Sequence, residues 1–120
     1  MNYVTKLDIK YEHLQKIDIQ KLVKDCKDKW FNQTLTKVND SAVRLGIVEG
    51  EYHWHKHEND DEFFFVIEGQ LLIEVENNNT IELNAGQGVT ISKGIMHRPK
   101  APHKTIILMV ETSAIQPTGD

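Results

Sequence analysis

The chain has a single cysteine, Cys26, and therefore no means of closing a disulfide within itself; such cysteine usage makes a reducing cytoplasm the expected compartment. It has no apolar run longer than five residues, Phe63 to Ile67 and Ile106 to Val110 being the longest, whereas a helix crossing a bilayer needs about 20. No membrane partner is expected. The first ten residues, Met1 to Lys10, mix charge and polarity and lack the apolar stretch of a secretion signal. There is no basic excess either: 14 Lys and Arg against 18 Asp and Glu give a net charge of -4, which offers a phosphate backbone no positive field. Nucleic acid is excluded as an expected partner on that ground. Internal repeats and low-complexity tracts are absent, and 120 residues suffice for one cored domain and not for two.

What is present falls into two rhythms. Between Asp18 and Trp30 the apolar residues Ile19, Leu22, Val23, Cys26 and Trp30 recur at steps of three or four, the stripe of one helix, with Asp18 placed to cap it. The lysines at 21, 24, 27 and 29 read as its solvated face. From Thr34 the period drops to two, the residues become β-branched or aromatic, and turn chemistry interrupts every eight or so positions. Strands are expected at about 34–38, 41–49, 52–57, 62–68, 70–76, 79–84, 87–92, 95–100 and 104–111, an all-β set that suits a jelly-roll or barrel. The expected organisation is an N-terminal segment, 1–33, whose short helix packs on a single barrel, 34–112, with a loosely structured tail, 113–120. Two strands are apolar on both faces, Phe63 to Ile67 and Ile106 to Val110, so both sides need cover. The helix is one candidate cover and a second copy of the chain, giving a homodimer, is another.

Five of the six histidines lie between positions 53 and 103, three of them in His53-Trp54-His55-Lys56-His57. On a strand, residues i and i+2 share a face about 7 Å apart, close enough for two imidazoles to tilt toward one ion with bonds near 2.1 Å. Three cannot do so, because His53 to His57 spans roughly 13 Å of strand. One of the three is left outside, and spacing alone does not say which. Glu62 heads an inward-facing aromatic strand, where a carboxylate wants a counter-charge such as a divalent cation. His97 follows on a strand that a closed barrel could return beside the first.

These residues resemble a known family. Gly50-x4-His55-x-His57-x4-Glu62-x6-Gly69 is similar to the first motif of the cupin superfamily, and Gly86-x5-Ser92-x-Gly94-x2-His97 to its second. The 16 residues between them leave room for one hairpin, as in small one-domain cupins. The chain also resembles the group labelled mannose-6-phosphate-isomerase-like, whose members can end in Thr-Gly-Asp, here Thr118-Gly119-Asp120. The resemblance implies a cupin jelly roll and a divalent transition metal ion (Fe, Mn, Ni or Zn) on His55, His57, Glu62 and His97, which leaves His53 as the outer histidine. The chain departs from the pattern in having four rather than five residues between Gly50 and His55, Ser92 for proline and Ala101 for asparagine. Every ligand position is filled.

Beyond the ligands, His53 is the candidate catalytic acid or base, with Glu74 and Tyr52 weaker because alternation turns them away from the ion. Arg98 and Arg44 are the only arginines, and either could clamp an anion; Arg98, beside His97, is the candidate substrate clamp, although alternation points it outward. Tyr52 and Trp54 are expected to face away from the metal and pack. His103 reads as a loop residue, His13 as surface, and Cys26 as a buried small hydrophobe. An open coordination sphere of this kind suits a small metal-dependent enzyme, a dioxygenase or isomerase, acting on a small polar metabolite. The rival expectation is a non-catalytic module that binds or senses a small ligand through its metal.

Overall fold

A computed structural model describes residues 2–114 and 119. Its elements are β1 (Tyr3–Lys6), α1 (Ile19–Asp25), β2 (Trp30–Val38), β3 (Ser41–Glu51), β4 (Glu62–Glu68), β5 (Gln70–Val75), β6 (Asn79–Asn84), β7 (Gly88–Ile91) and β8 (His97–Thr112). One sheet runs β1-β2-β3-β8-β4-β7, and β5 joins it through β8 while pairing with β6 on its other edge. The 16-residue β8 makes this closure possible. Its first residues, His97 to Lys100, pair with β5, and Thr105 to Thr112 lie between β3 and β4. One strand thereby serves both walls of a jelly roll, as the period-two rhythm implies.

The turns form where Asn and Gly permit them. Asn39, Asn77 and Asn78 take positive φ at the β2–β3 and β5–β6 hairpins. Gly69, at φ +96, joins β4 to β5 where a Cβ would lie 2.5 Å from Thr105 Oγ1, so any side chain there collides.

Two apolar clusters sit on the two faces of the main sheet. Inside the barrel are Trp30, Val48, Tyr52, Phe64, Leu71, Ile107 and others. Outside, Leu35, Leu45, Ile47 and Ile106 are covered by Ile19, Leu22, Val23 and Cys26 of the helical stripe. The helix therefore packs as its spacing implies, and Asp18 caps it by accepting the Lys21 N–H at 3.2 Å.

Several boundaries differ from expectation. The helix ends at Asp25, and Trp30 opens β2, paired with Val48. Trp30 satisfies both periods, and the interior pairing prevails. β2 thus crosses the expected boundary at 33/34, and β1, running parallel to β2, adds a strand that the N-terminal pattern does not announce. The expected strands at 95–100 and 104–111 are one continuous strand. The expected strand at 52–57 does not form; only an isolated bridge, His55 to His97, remains there. Cys26 is half-buried. Of the expected tail, 115–118 and 120 lie outside the described residues, as do Thr118 and Asp120 of the Thr-Gly-Asp ending. Among the described residues no helix is long and apolar enough to cross a membrane.

Candidate metal centre

The missing strand explains the site. β3 shifts register between Val48 and Gly50, and beyond Glu51 the backbone meets β8 at only two points. Tyr52 N–H donates to Pro99 O at 3.0 Å, and His55 and His97 exchange N–H···O bonds of 3.0 and 2.9 Å. Three residues on one side thus span two on the other. That extra residue reverses the alternation and turns both Tyr52 and His55 inward. Tyr52 is 7% exposed and edge-on to the His55 ring at 5.3 Å, which corrects the expectation that it faces away from the ligands. His57 follows inside the same loop, which is tied down by Gly94 N–H donating to His57 O at 2.8 Å and Lys93 N–H to Asp61 Oδ1 at 2.9 Å.

The donor atoms of His55, His57 and Glu62 lie within 4.8 Å of one another, and all three residues are buried. Glu62 Oε1 is 3.5 Å from His57 Nε2 and 3.3 Å from His97 Nε2. Two ligands bonded to one ion at about 2.1 Å stand about 3.0 Å apart at right angles and about 3.4 Å at tetrahedral angles, so these separations suit a shared cation. The histidines are also prepared for it. His55 Nδ1 is 3.1 Å from His53 O and His97 Nδ1 is 2.9 Å from Ile95 O. A carbonyl only accepts, so each Nδ1 carries a proton and Nε2 is the nitrogen turned toward the site. Burial first, and the neighbouring His97 second, push His55 down to about 4, which keeps it neutral and ligand-competent at physiological pH.

Burial by itself would raise Glu62, but hydrogen bonds with His57, His97 and Glu111 together outweigh it and hold the carboxyl well below the usual range. Glu111 is a site residue that the sequence pattern did not disclose, and Arg44, one of the two candidate anion clamps, is its partner. Phe63 pairs with Val110, which sets Glu62 beside Glu111 on the inner face, and Arg44 of β3 meets Glu111 at 2.9 Å with both side chains almost fully buried. Two adjacent carboxyls can hydrogen-bond only by sharing a proton, and Arg44 supplies the countercharge for what remains. Arg44 is thus engaged by the protein itself. Continuing the inward alternation of Ile107 and Met109 by one step would have placed Glu111 in the interior, though not its partners.

His53 packs beside a ligand without joining the donor set, its ring 5.4 Å from that of His55, and Arg98 is not brought to the ligands. His53 is exposed, its ring stacked on Tyr52 at 4.2 Å, and it serves the site through the backbone oxygen that faces His55. Arg98 points outward. Its guanidinium reaches both oxygens of Glu74 at 3.2 Å and Glu51 at 3.4 Å, and lies over the Trp54 ring at 5.4 Å. Neither position supports the catalytic and clamping roles expected of them. His103 is exposed, as is His13, whose Nε2 meets Lys37 O at 3.0 Å.

A cavity of about 400 Å³, its mouth included, opens on this centre, bordered by His55, Glu62, Tyr52, Trp30 and Asn32 among others. Burial, with the charges of Tyr3, Glu62 and Glu111, pushes the Tyr52 phenol up to about 12, so it enters the cavity as a neutral O–H group.

A jelly roll with two inward histidines and a glutamate beside the barrel mouth defines a metal-binding class of β-barrel. The chain belongs to the cupin family: the cupin domain matches residues 44–112. It is 40% identical to the uncharacterized protein YdbB of Bacillus subtilis (strain 168) over 90 residues, 75% of this chain and 80% of that one. Its fold is similar to the crystal structure of a cupin-2 domain containing protein from Shewanella frigidimarina NCIMB 400, at a TM-score of 0.75 and 33% identity, covering 80% of this chain and 93% of the other. It is similar in fold alone, at 14% identity and a TM-score of 0.75, to hydroquinone 1,2-dioxygenase from Sphingomonas sp. TTNP3, covering 85% of this chain and 33% of that one.

Proposed function

We propose that this cupin holds one divalent transition metal ion on His55, His57, Glu62 and His97 and is a small metal-dependent enzyme, of dioxygenase or isomerase type, acting on a small polar metabolite. The observation that carries this reading is the convergence of His55, His57 and Glu62 within 4.8 Å in a buried site. His97, 3.3 Å from the same carboxylate, is the natural fourth donor. When bound, Fe, Mn, Ni or Zn would supply Lewis-acid polarisation of a substrate oxygen, and Fe or Mn also redox chemistry. The chain's own residues prepare the ground for it. His53 O and Ile95 O orient the imidazoles, Arg44 and Glu111 hold the Glu62 carboxylate in place, and Trp30 and Phe64 narrow the water-accessible space. The fold also carries a hydroquinone 1,2-dioxygenase elsewhere, which supports ring oxygenation as chemistry this scaffold can host.

A second reading, a non-catalytic binding or sensing module, draws on one observation. The cavity-lining groups that are not ligands include no side chain poised to move a proton near neutral pH, since Tyr52 is pushed to about 12. Membership of the mannose-6-phosphate-isomerase-like group remains a proposal about kinship. No Lys or Arg lines the cavity, so a phosphate would find no countercharge there besides the ion itself.

The test is elemental analysis of protein purified without chelator, repeated on His97→Ala, followed by oxygen-uptake and isomerisation assays on a panel of small diols and hydroxy compounds. We expect one metal per chain in the parent and loss in the variant. Unchanged metal in the variant removes His97 from the site, and silence in both assays beside tight ligand binding favours the sensor. We further propose that a second copy covers the half-buried outer residues Phe63, Phe65 and Val110; a monomer in sedimentation would reject it.

A further inference from the structure

The cavity beside the metal centre is nearly closed. Within its roughly 400 Å³, mouth included, the space open to the centres of water molecules is about 30 Å³, room for about two of them. A metabolite of several heavy atoms therefore reaches the donor atoms only when part of the wall moves. Most of that wall is held from both sides. Asn32, Gly46, Val48, Phe64, Ile107 and Met109 stand on β2, β3, β4 and β8, each of which pairs with a strand on either edge. The loop that carries Tyr52 and His55 is fastened to β8 at Pro99 and His97.

β1 is the exception. It is a four-residue edge strand, its Thr5 and Lys6 are exposed, and among the described residues it pairs with β2 alone. Pairing sets Tyr3 beside Trp30, so both rings lean to the inner face of the sheet. There Tyr3 meets three rings: Trp30 at 5.7 Å, Tyr52 at 4.7 Å and His53 at 6.1 Å. Trp30 and Tyr52 border the cavity and stack on one another at 5.3 Å, so Tyr3 braces from outside the two rings that close this end of it. Its hydroxyl completes the fastening by donating to Glu51 O at 2.6 Å. Short segments with one neighbour and exposed residues are where native proteins open locally, at less cost than global unfolding. Here the first segment to open is the one that pins the cavity's aromatic wall.

We propose that β1 is a detachable strap with Tyr3 as its fastening: seated, it pins Trp30 and Tyr52 over the cavity, and released, it lets those rings turn aside and admit a ligand. The strap governs how the cavity opens and is independent of what the donor atoms hold.

A cysteine placed inside the cavity reports the opening. In the full chelator-stripped chain carrying Cys26→Ser, modification by iodoacetamide is followed by mass for two variants. Val48→Cys lies in the cavity wall, 2% exposed, and Ile73→Cys is fully buried in the inner cluster away from that wall. We expect Val48→Cys to react at least about tenfold faster than Ile73→Cys, at a rate that barely changes in low urea, the sign of local opening. Adding Tyr3→Ala should speed Val48→Cys about tenfold, because the ring contacts absent from the open state no longer oppose reaching it. Equal rates at the two cysteines, with the same rise in urea, mean that only global unfolding uncovers the cavity, and they overturn the proposal. A fast Val48→Cys that Tyr3→Ala leaves within about twofold overturns it too, since the opening then keeps Tyr3 seated and belongs to another element. Should Val48→Cys not fold, Met109→Cys in the same wall decides by the same comparison. Zinc uptake by the parent is measured separately, so the strap and the metal centre fail independently.

Discussion

His97 and Arg98 are neighbours on β8, yet they anchor two ionic clusters with different physics. His97 is 1% exposed and faces His55, His57 and Glu62 inside the barrel. Arg98 faces Glu74, Glu51 and Trp54 outside, and Lys100 joins it on Glu74 at 3.1 Å. In the outer cluster, shifts come chiefly from direct contact: Glu74 is lowered first by its hydrogen bond from Lys100, and Lys100 is raised first by the same bond. In the inner cluster burial is the leading influence on His55 and Glu62, and the contacts decide which charge state survives it. Similar side chains thus form a solvated ion network on one face and a poised ligand set on the other, because water screens the first and is excluded from the second.

The contrast is broken most strongly at the ligands. His57→Ala should lower metal affinity by about 10²–10³-fold, roughly one ligand's share of the binding free energy of a four-ligand site, as read by competition with a chromogenic chelator. Parent-like affinity would remove His57 from the set. Next comes the buried pair: Arg44→Met leaves Glu111 without its countercharge and should cost about 3–5 kcal/mol in denaturant unfolding, whereas Arg44→Met with Glu111→Leu should recover most of that loss. A single variant within about 0.5 kcal/mol of the parent would place the pair among ordinary surface bridges.

Acid comes third. His55 is pushed down to about 4 from an ordinary 6.5, so between those values the unfolded chain binds the extra proton. Stability of the chelator-stripped protein is therefore full above about pH 6.5 and falls by about 3 kcal/mol as pH drops toward 4. Glu62, also depressed, adds loss in the same direction at lower pH. Urea midpoints flat between pH 7 and 4.5 would contradict this. The smallest effect belongs outside: Trp54→Ala or Arg98→Ala should move the melting temperature by no more than about 3 °C, and for Arg98 the change should shrink as salt is added.

The legibility of the molecule follows the same divide between local and distant. The hairpins at Asn39 and at Asn77–Asn78, the capping by Asp18 and the stripe from Ile19 to Cys26 are contained in a few consecutive residues, and they form as their patterns imply. The loop from Tyr52 to Asp61 was read as a strand because its polar and aromatic residues alternate. Tyr52 keeps the inward parity of Val48, and the extra residue between the contacts of Tyr52 with Pro99 and of His55 with His97 breaks the alternation and brings His55 inside as well. At the centre, strand spacing allowed two of three clustered histidines, and likeness to the cupin motifs singled out His55 and His57. The exposure of His53 agrees with that choice.

Composition and order alone determined that this chain makes one barrel of short strands with a helix on its outer face, and that two histidines of the 53–57 cluster and Glu62 are the residues to watch; likeness to the cupin motifs chose His55 and His57. Those properties reside in periodicity, turn chemistry and motif spacing, each of which spans few residues. Only the folded chain decided that Glu111 and Arg44 stand beneath Glu62, that Arg98 turns outward to Glu74, and that Asn32 pairs with Gly46 on the adjacent strand. Each of those contacts joins residues well separated along the chain. Which of them meet is set by strand register and by the path of β8 through both walls, quantities that no local pattern encodes.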